Sequence, residues 1–145
     1  MALEDFAHQH PHAHFTGVEI NPMLIDFSAS RMPPNTAMRF VQYDLRDAAW
    51  TADLQSLFDV AYTFQTLHDL GGRDALQTVY SSLASTLPAG GMLVNADFVV
   101  PMPQDDPRNP RRFPVHEHVE LLHQAGCKYG SGRKTKMDCI SYARG

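Results

Sequence analysis

The sequence predicts an α/β fold with a mostly parallel sheet, and three features of the chain carry this prediction. Residues 58–64 (FDVAYTF) form a nearly continuous apolar run, which is typical of a strand buried on both faces. Segments with strand character alternate with segments of helical periodicity along the chain. Two short strand-like segments close the chain and predict a C-terminal antiparallel hairpin strand.

Turn residues set the limits of the elements in the first third of the chain. Helices are predicted at residues 2–9, 22–30, 48–57, 74–87 and 115–124, and strands at residues 14–20, 38–43, 58–64, 92–100, 127–129 and 137–143. Pro11 closes the first helix, and Asn21 can cap the second, which Pro22 opens. Residues 33–35 (PPN) end that helix, and the next strand stops at the acidic run 44–47.

The helix at residues 74–87 is the clearest element because its apolar residues fall on one stripe. These are Leu76, Val79, Tyr80, Leu83 and Leu87. Residues 88–91 (PAGG) end this helix, and residues 101–114 contain five prolines, so we expect an exposed loop there. The last helix ends at residues 125–126 (AG), and the polar run 130–134 (GSGRK) is expected to connect the hairpin strands.

Composition and charge argue against several classes of protein. The 145 residues contain no internal repeat or linker, so we expect one domain over residues 1–145. The net charge of -4 argues against a nucleic-acid partner. No run approaches the roughly 18 apolar residues that span a bilayer, and Glu4 and Asp5 stand where a signal peptide is basic. Cys127 and Cys139 are too few for a disulfide framework, so we expect free thiols in a cytoplasmic protein without a membrane partner.

Polar side chains follow the first three predicted strands. Glu19 lies at the end of the first, Asp44 at the end of the second, and residues 65–69 (QTLHD) follow the third. In open parallel sheets, ligands bind beyond the carboxyl ends of the strands. These positions are therefore the candidates for a ligand site.

The segments around these residues resemble, in order and spacing, class I S-adenosylmethionine-dependent methyltransferases. The matching segments are 17–23 (GVEINPM), 41–47 (VQYDLRD), 58–70, 87–93 (LPAGGML) and 121–127 (LLHQAGC), and the match extends from about residue 15 to residue 143. The resemblance implies a Rossmann-like three-layer sandwich and S-adenosylmethionine as cofactor. It also implies a methyl acceptor, which we expect to be a small molecule.

The resemblance assigns a role to each candidate for cofactor binding. Glu19 would accept hydrogen bonds from both ribose hydroxyls, because the two oxygens of a carboxylate can meet two adjacent donors. Asp44 would accept from the adenine amine, and Leu45 would donate its backbone N–H to a ring nitrogen. Gln65, in the turn at residues 65–69, would lie near the methionyl end of the cofactor or the acceptor.

His68 is the candidate catalytic residue. An imidazole can remove a proton from an acceptor oxygen or nitrogen near neutral pH. The alternative is a histidine that is hydrogen-bonded to Asp69 or to a backbone carbonyl and orients the loop. Arg108, Arg111 and Arg112 in the proline-rich loop could contact an acidic acceptor, although a solvated loop is the favoured interpretation.

One part of the family pattern has no counterpart in this sequence. The family's first strand and its Gly-x-Gly-x-Gly turn are expected about 20 residues before Glu19, and the only early glycine is Gly17. The resemblance therefore implies an N-terminally truncated domain with severely weakened cofactor affinity. The absent strand lies between the second and fourth strands of the family, so two strand edges would be unpaired, and we expect a homo-oligomer or a bound separate fragment. The alternative function is a non-enzymatic remnant that self-associates through these edges.

Three other ligands are poorly supported. A dinucleotide-binding fold of the NAD type also places an acid after the first visible strand, but its fingerprint needs the same absent glycines. Histidines alternate over residues 8–14, but Pro11 interrupts them, and with His116 and His118 they do not specify four ligands, so adventitious metal binding is favoured over structural zinc. Residues 130–134 precede a strand, so no helix N-terminus is available there to bind phosphate.

Overall fold

The computed structural model describes the backbone of residues 3–54, 58–100, 102–130 and 138–144, and the side chains of these ranges up to residue 128. The helices are α1 (Leu3–Gln9), α2 (Pro22–Arg31), α3 (Trp50–Leu54), α4 (Arg73–Ser85) and α5 (Val115–Gln124), and the strands are β1 (His14–Glu19), β2 (Ala37–Gln42), β3 (Val60–Phe64), β4 (Met92–Asp97), β5 (Cys127–Gly130) and β6 (Asp138–Arg144). The chain divides into two compact units, Met1–Asp47 and Ala48–Gly145.

The predicted alternation of strands and helices is confirmed, with one informative difference in length. The strand predicted at residues 92–100 ends at Asp97, because the Asp97 carboxylate accepts the next backbone N–H, that of Phe98, at 2.8 Å. The end of the helix predicted at residues 48–57 and the hairpin connection at residues 131–134 lie outside the described residues.

The first unit is built on one parallel strand pair. β1 and β2 run in register from His14 opposite Ala37 to Glu19 opposite Gln42, and α2 connects them. The start of α2 follows the sequence prediction, since the Asn21 side chain accepts the Met23 N–H at 2.9 Å. The connection therefore brings the carboxyl ends of both strands to the same edge of this sheet.

The helix α2 exposes its apolar side chains. Ile20, Met23, Leu24 and Phe27 recur at helical spacing, and each is largely exposed. None of the α2 residues is buried. The helix is instead joined to α1 by an ion pair, in which Arg31 Nε donates to Glu4 Oε2 at 2.6 Å.

The second unit holds a four-stranded sheet in the order β3-β4-β6-β5. β3 and β4 are parallel, whereas β6 runs antiparallel to both β4 and β5, as predicted for the C-terminal hairpin. Three residues of the predicted stripe, Leu76, Val79 and Tyr80, are fully buried on α4. Leu83 is only half-buried, and Leu87 is buried but lies beyond the end of the helix at Ser85. Burial of one such leucine contributes about 1.5–3 kcal/mol, so this stripe is a major source of stability for the unit.

Candidate functional site

Glu19 and Asp44 lie at the same edge of the β1–β2 sheet. Glu19 is the last residue of β1, and Asp44 follows the last residue of β2 by two positions. The ladder continues between them, since the Tyr43 N–H donates to the Glu19 carbonyl at 3.1 Å. The sequence placed both acids at the ends of neighbouring parallel strands, and the structure agrees.

Glu19 retains the capacity to accept further hydrogen bonds. Its Oε1 accepts the Asn21 backbone N–H at 2.8 Å, which fixes the carboxylate at the start of the turn. Its Oε2 makes no hydrogen bond to any described residue. The side chain is half-buried, so this oxygen can meet a ligand hydroxyl.

Asp44 is held by an arginine that the sequence prediction missed. Arg46 Nε donates to both Asp44 oxygens at 2.9 and 3.0 Å, and the Arg46 backbone N–H donates to Oδ1 at 2.9 Å. The Arg46 side-chain hydrogen bond, followed by the backbone one, holds the pKa of Asp44 below its usual value. Leu45 lies between these two residues. The pair is exposed enough to contribute little to stability, so Arg46 can yield one Asp44 oxygen to a ligand.

In the second unit, the turn after β3 is built around a buried carboxylate. Asp97, the last residue of β4, is only 1% exposed. Its Oδ2 accepts the N–H groups of Leu67 at 2.7 Å and His68 at 3.2 Å, and its Oδ1 accepts the Phe98 N–H at 2.8 Å. Gln65 opens the turn with φ of 49°, in the left-handed region. Asp97 therefore organises the backbone around the candidate catalytic residue.

His68 is the side chain that Asp97 orients. His68 Nδ1 lies 2.6 Å from Asp97 Oδ1, and the imidazole is 10% exposed. Because the Asp97 carboxylate accepts each of its other hydrogen bonds, Nδ1 is assigned as the donor in this contact. The Phe98 ring packs edge-on against the imidazole at a centroid distance of 5.1 Å.

The proline-rich loop reaches this turn through Arg111. Arg111 Nη2 donates to Asp69 Oδ1 at 2.6 Å, and Asp69 Oδ2 lies 3.4 Å from His68 Nε2. Arg112, which the sequence suggested to be solvated, is only 13% exposed and pairs with Asp105. Two of the three loop arginines are thus paired with acids, and the loop is fixed in place.

Asp97 is the residue of the candidate site that the sequence prediction overlooked. The rule that acids at strand ends form ligand sites applies to it, but the strand was predicted to run on to Val100. Asp97 was therefore placed within a strand. A boundary drawn at Asp97 would have identified the partner of His68.

Metal-ligating groups and membrane-spanning helices are not found in the described parts of the chain. No cluster of three or more His, Cys, Asp or Glu side chains is arranged there to hold a metal ion. No helix within those ranges has the length and apolar character required to cross a membrane. Cys127 is buried, and the Cys139 side chain lies outside the described residues.

Neither the family models nor the curated proteins match this chain, whereas solved structures do. An O-methyltransferase family protein from Burkholderia thailandensis aligns with 98% of this chain at a TM-score of 0.79 and 18% identity. The alignment covers 47% of that protein, so the chain spans about half the length of this relative.

Two further solved structures are covered more completely. CalS10 is an amino pentose methyltransferase from Micromonospora echinaspora that was solved with S-adenosylmethionine. The alignment covers 99% of this chain and 78% of CalS10, at 20% identity and a TM-score of 0.74. The N-methyltransferase NodS from Bradyrhizobium japonicum was solved with S-adenosylhomocysteine. The alignment covers 96% of this chain and 71% of NodS, at 13% identity and a TM-score of 0.73. The chain therefore has the Rossmann-like fold of the class I S-adenosylmethionine-dependent methyltransferases.

Proposed function

We propose that this chain is an S-adenosylmethionine-dependent methyltransferase domain that acts on a small-molecule acceptor, with His68 as the general base. The observation that carries the proposal is the buried Asp97 carboxylate, whose Oδ1 lies 2.6 Å from His68 Nδ1. The proposal assigns Nε2 as the basic nitrogen. The pair lies beyond the carboxyl ends of two parallel strands, where ligands bind in this class of sheet.

In the proposed reaction, His68 accepts one proton. When bound, S-adenosylmethionine supplies an electrophilic methyl group on a sulfonium centre. His68 Nε2 would take the proton from the acceptor hydroxyl or amine, while the acceptor's bond to the methyl carbon would replace the methyl–sulfur bond and leave a neutral thioether. Asp97 stabilises the imidazolium that results, because its carboxylate already faces Nδ1–H. Phe98 excludes water from one side of the ring.

The first unit supplies the proposed nucleoside contacts. Glu19 would bind the ribose hydroxyls through Oε2, which has no partner among the described residues. Asp44 would accept from the adenine amine beside the Leu45 backbone N–H. Gln65 would lie near the methionyl end of the cofactor or near the acceptor. The arrangement of two carboxylates at one sheet edge fits a ligand with adjacent hydroxyl and amine donors.

CalS10 was solved with S-adenosylmethionine, and NodS was solved with S-adenosylhomocysteine. The alternative of a non-enzymatic remnant is not favoured by these comparisons.

Isothermal titration with S-adenosylhomocysteine tests the proposal. We expect measurable binding to the whole chain at millimolar ligand. Glu19→Gln and Asp44→Asn should each weaken binding about tenfold, since each removes a charge-assisted hydrogen bond. Asp26→Asn is the matched control, because Asp26 is an exposed acid of the same unit on α2. A wild-type chain that binds nothing at millimolar ligand contradicts the proposed function.

A further inference from the structure

Two carboxylates flank the His68 imidazole on opposite nitrogens. Asp97 accepts from Nδ1 at 2.6 Å, whereas Asp69 Oδ2 stands 3.4 Å from Nε2. An unprotonated Nε2 and a carboxylate oxygen are both acceptors, so they cannot hydrogen-bond to each other. If Asp69 moved closer, it would favour a proton on Nε2. His68 would then be an imidazolium with no lone pair for an acceptor's proton.

Arg111 and His68 face different oxygens of the Asp69 carboxylate. The Arg111–Asp69 bond is 2.6 Å long, while the Asp69–His68 separation of 3.4 Å exceeds the normal range for a hydrogen bond. A guanidinium remains charged at any physiological pH, so its hold on the carboxylate does not depend on the state of the imidazole. The Arg111 guanidinium therefore offsets the negative charge that Asp69 presents to Nε2.

The loop that carries Arg111 is anchored on either side of it. Asp105 accepts the Met102 backbone N–H at 2.7 Å and pairs with Arg112. The Arg112 guanidinium lies over the Phe98 ring at 5.9 Å, and Phe98 in turn packs against His68. This packing fixes the backbone beside Arg111, so that its side chain is presented to Asp69.

We propose that Arg111 is a positioning residue for His68, which acts by binding Asp69 and so keeps Nε2 unprotonated and open to the acceptor. The inference rests on the proposed role of His68 as the base. The charged groups around the imidazole are Asp97 from β4, Asp69 from its own turn and Arg111 from the loop. His118 of α5 interacts electrostatically with Asp97, and Arg112 lies over the Phe98 ring that packs against the imidazole.

Heteronuclear NMR of the histidine ring nitrogens tests the inference on the whole chain without cofactor or acceptor. The wild type should show His68 with Nδ1 protonated and Nε2 unprotonated at neutral pH. In Arg111→Gln, the ratio of protonated to unprotonated Nε2 should rise about threefold, the scale expected when an exposed ion pair is exchanged. Arg111→Lys keeps the charge and should resemble the wild type. Arg108→Gln, an exposed arginine of the same loop, is the matched control.

A double substitution shows whether Arg111 acts through Asp69. In an Asp69→Asn background, Arg111→Gln should leave the His68 signature unchanged, because no carboxylate is available to pair with Nε2. A wild-type signature in folded Arg111→Gln, or an equal change in both backgrounds, would overturn the inference. Circular dichroism verifies folding. The NMR result does not depend on methyl transfer. The inference about Arg111 can therefore fail while the proposed function stands, and the proposed function can fail while the inference stands.

Discussion

At the scale of single residues, the second unit contains a buried chain of polar side chains that the proposed chemistry does not use. Thr63 donates to Asn95 at 2.7 Å, Asn95 donates to the Tyr80 hydroxyl at 2.9 Å, and that hydroxyl lies 2.7 Å from His118 Nδ1. His118 is 3% exposed, and its Nε2 has no hydrogen-bond partner among the described residues. Burial lowers the pKa of His118, and this effect is only partly offset by the charge of Asp97.

The lowered pKa of His118 predicts that acid destabilises the fold before the carboxylates titrate. The unfolded chain takes up the proton near the usual value of about 6.5, whereas the folded chain resists it. Stability present above that pH should therefore be lost as the pH falls below it, by up to about 1.4 kcal/mol per pH unit.

Urea denaturation between about pH 7 and pH 5.5 measures this dependence. His118→Gln should reduce the slope of stability against pH by as much as the contribution of one proton. His116→Gln, on the exposed face of the same helix, should retain the wild-type slope. Equal slopes in all three proteins would show that His118 does not carry the effect.

At the scale of elements, the turn after β3 stores backbone strain beside the candidate base. Gln65 adopts a φ of 49°, although its N–H still donates to the Ala96 carbonyl at 2.8 Å. The left-handed conformation costs an ordinary L-residue about 1–2 kcal/mol. The strain is sustained because the ladder fixes one side of the turn and Asp97 binds the other.

Glycine at position 65 should relieve this strain. We expect Gln65→Gly to raise the free energy of unfolding by up to about 1 kcal/mol, since glycine adopts positive φ without steric cost. Gln65→Val should lower it by at least as much, because a β-branched side chain is poorly accommodated there. Equilibrium urea unfolding compares the three proteins. If Gln65→Gly and Gln65→Val lowered the free energy of unfolding equally, the loss of the glutamine side chain, and not backbone strain, would explain the effect.

At the scale of the whole molecule, the chain has two units, each with its own sheet. β3 lies at the edge of the four-stranded sheet, and Val60 on that strand is 48% exposed. Unpaired edges with apolar side chains favour association between strands. The predicted self-association is therefore consistent with the exposed surface, and it stays a prediction.

Sedimentation velocity at several concentrations measures the association. We expect the wild type to form oligomers in a concentration-dependent manner. Val60→Lys should shift the equilibrium towards the monomer, because a charged side chain on an edge strand opposes pairing. Val100→Lys is the control, since Val100 is exposed but lies outside the strands. A wild-type chain that remains a well-folded monomer in dilute solution contradicts the prediction.

The sequence by itself determined the kind and order of the elements and the acids that end β1 and β2. Apolar periodicity, proline and asparagine act over a few residues, so the capped start of α2 and the buried stripe of α4 are readable from the chain alone. The ends of elements were less certain, as the early end of β4 shows. That end depends on a side chain that binds backbone groups 29 and 30 residues away.

Only the tertiary structure decided which side chains of the candidate site contact one another. The sequence placed His68 beside Asp69, but its closest carboxylate is Asp97, 29 residues away along the chain, and Asp69 is held by Arg111, 42 residues away. Such partners are chosen by strand pairing and by the path of a packed loop, which bring together side chains that share no local pattern. The residue types of the site are therefore encoded locally, whereas the contacts of His68 with Asp97 and of Asp69 with Arg111 arise from packing.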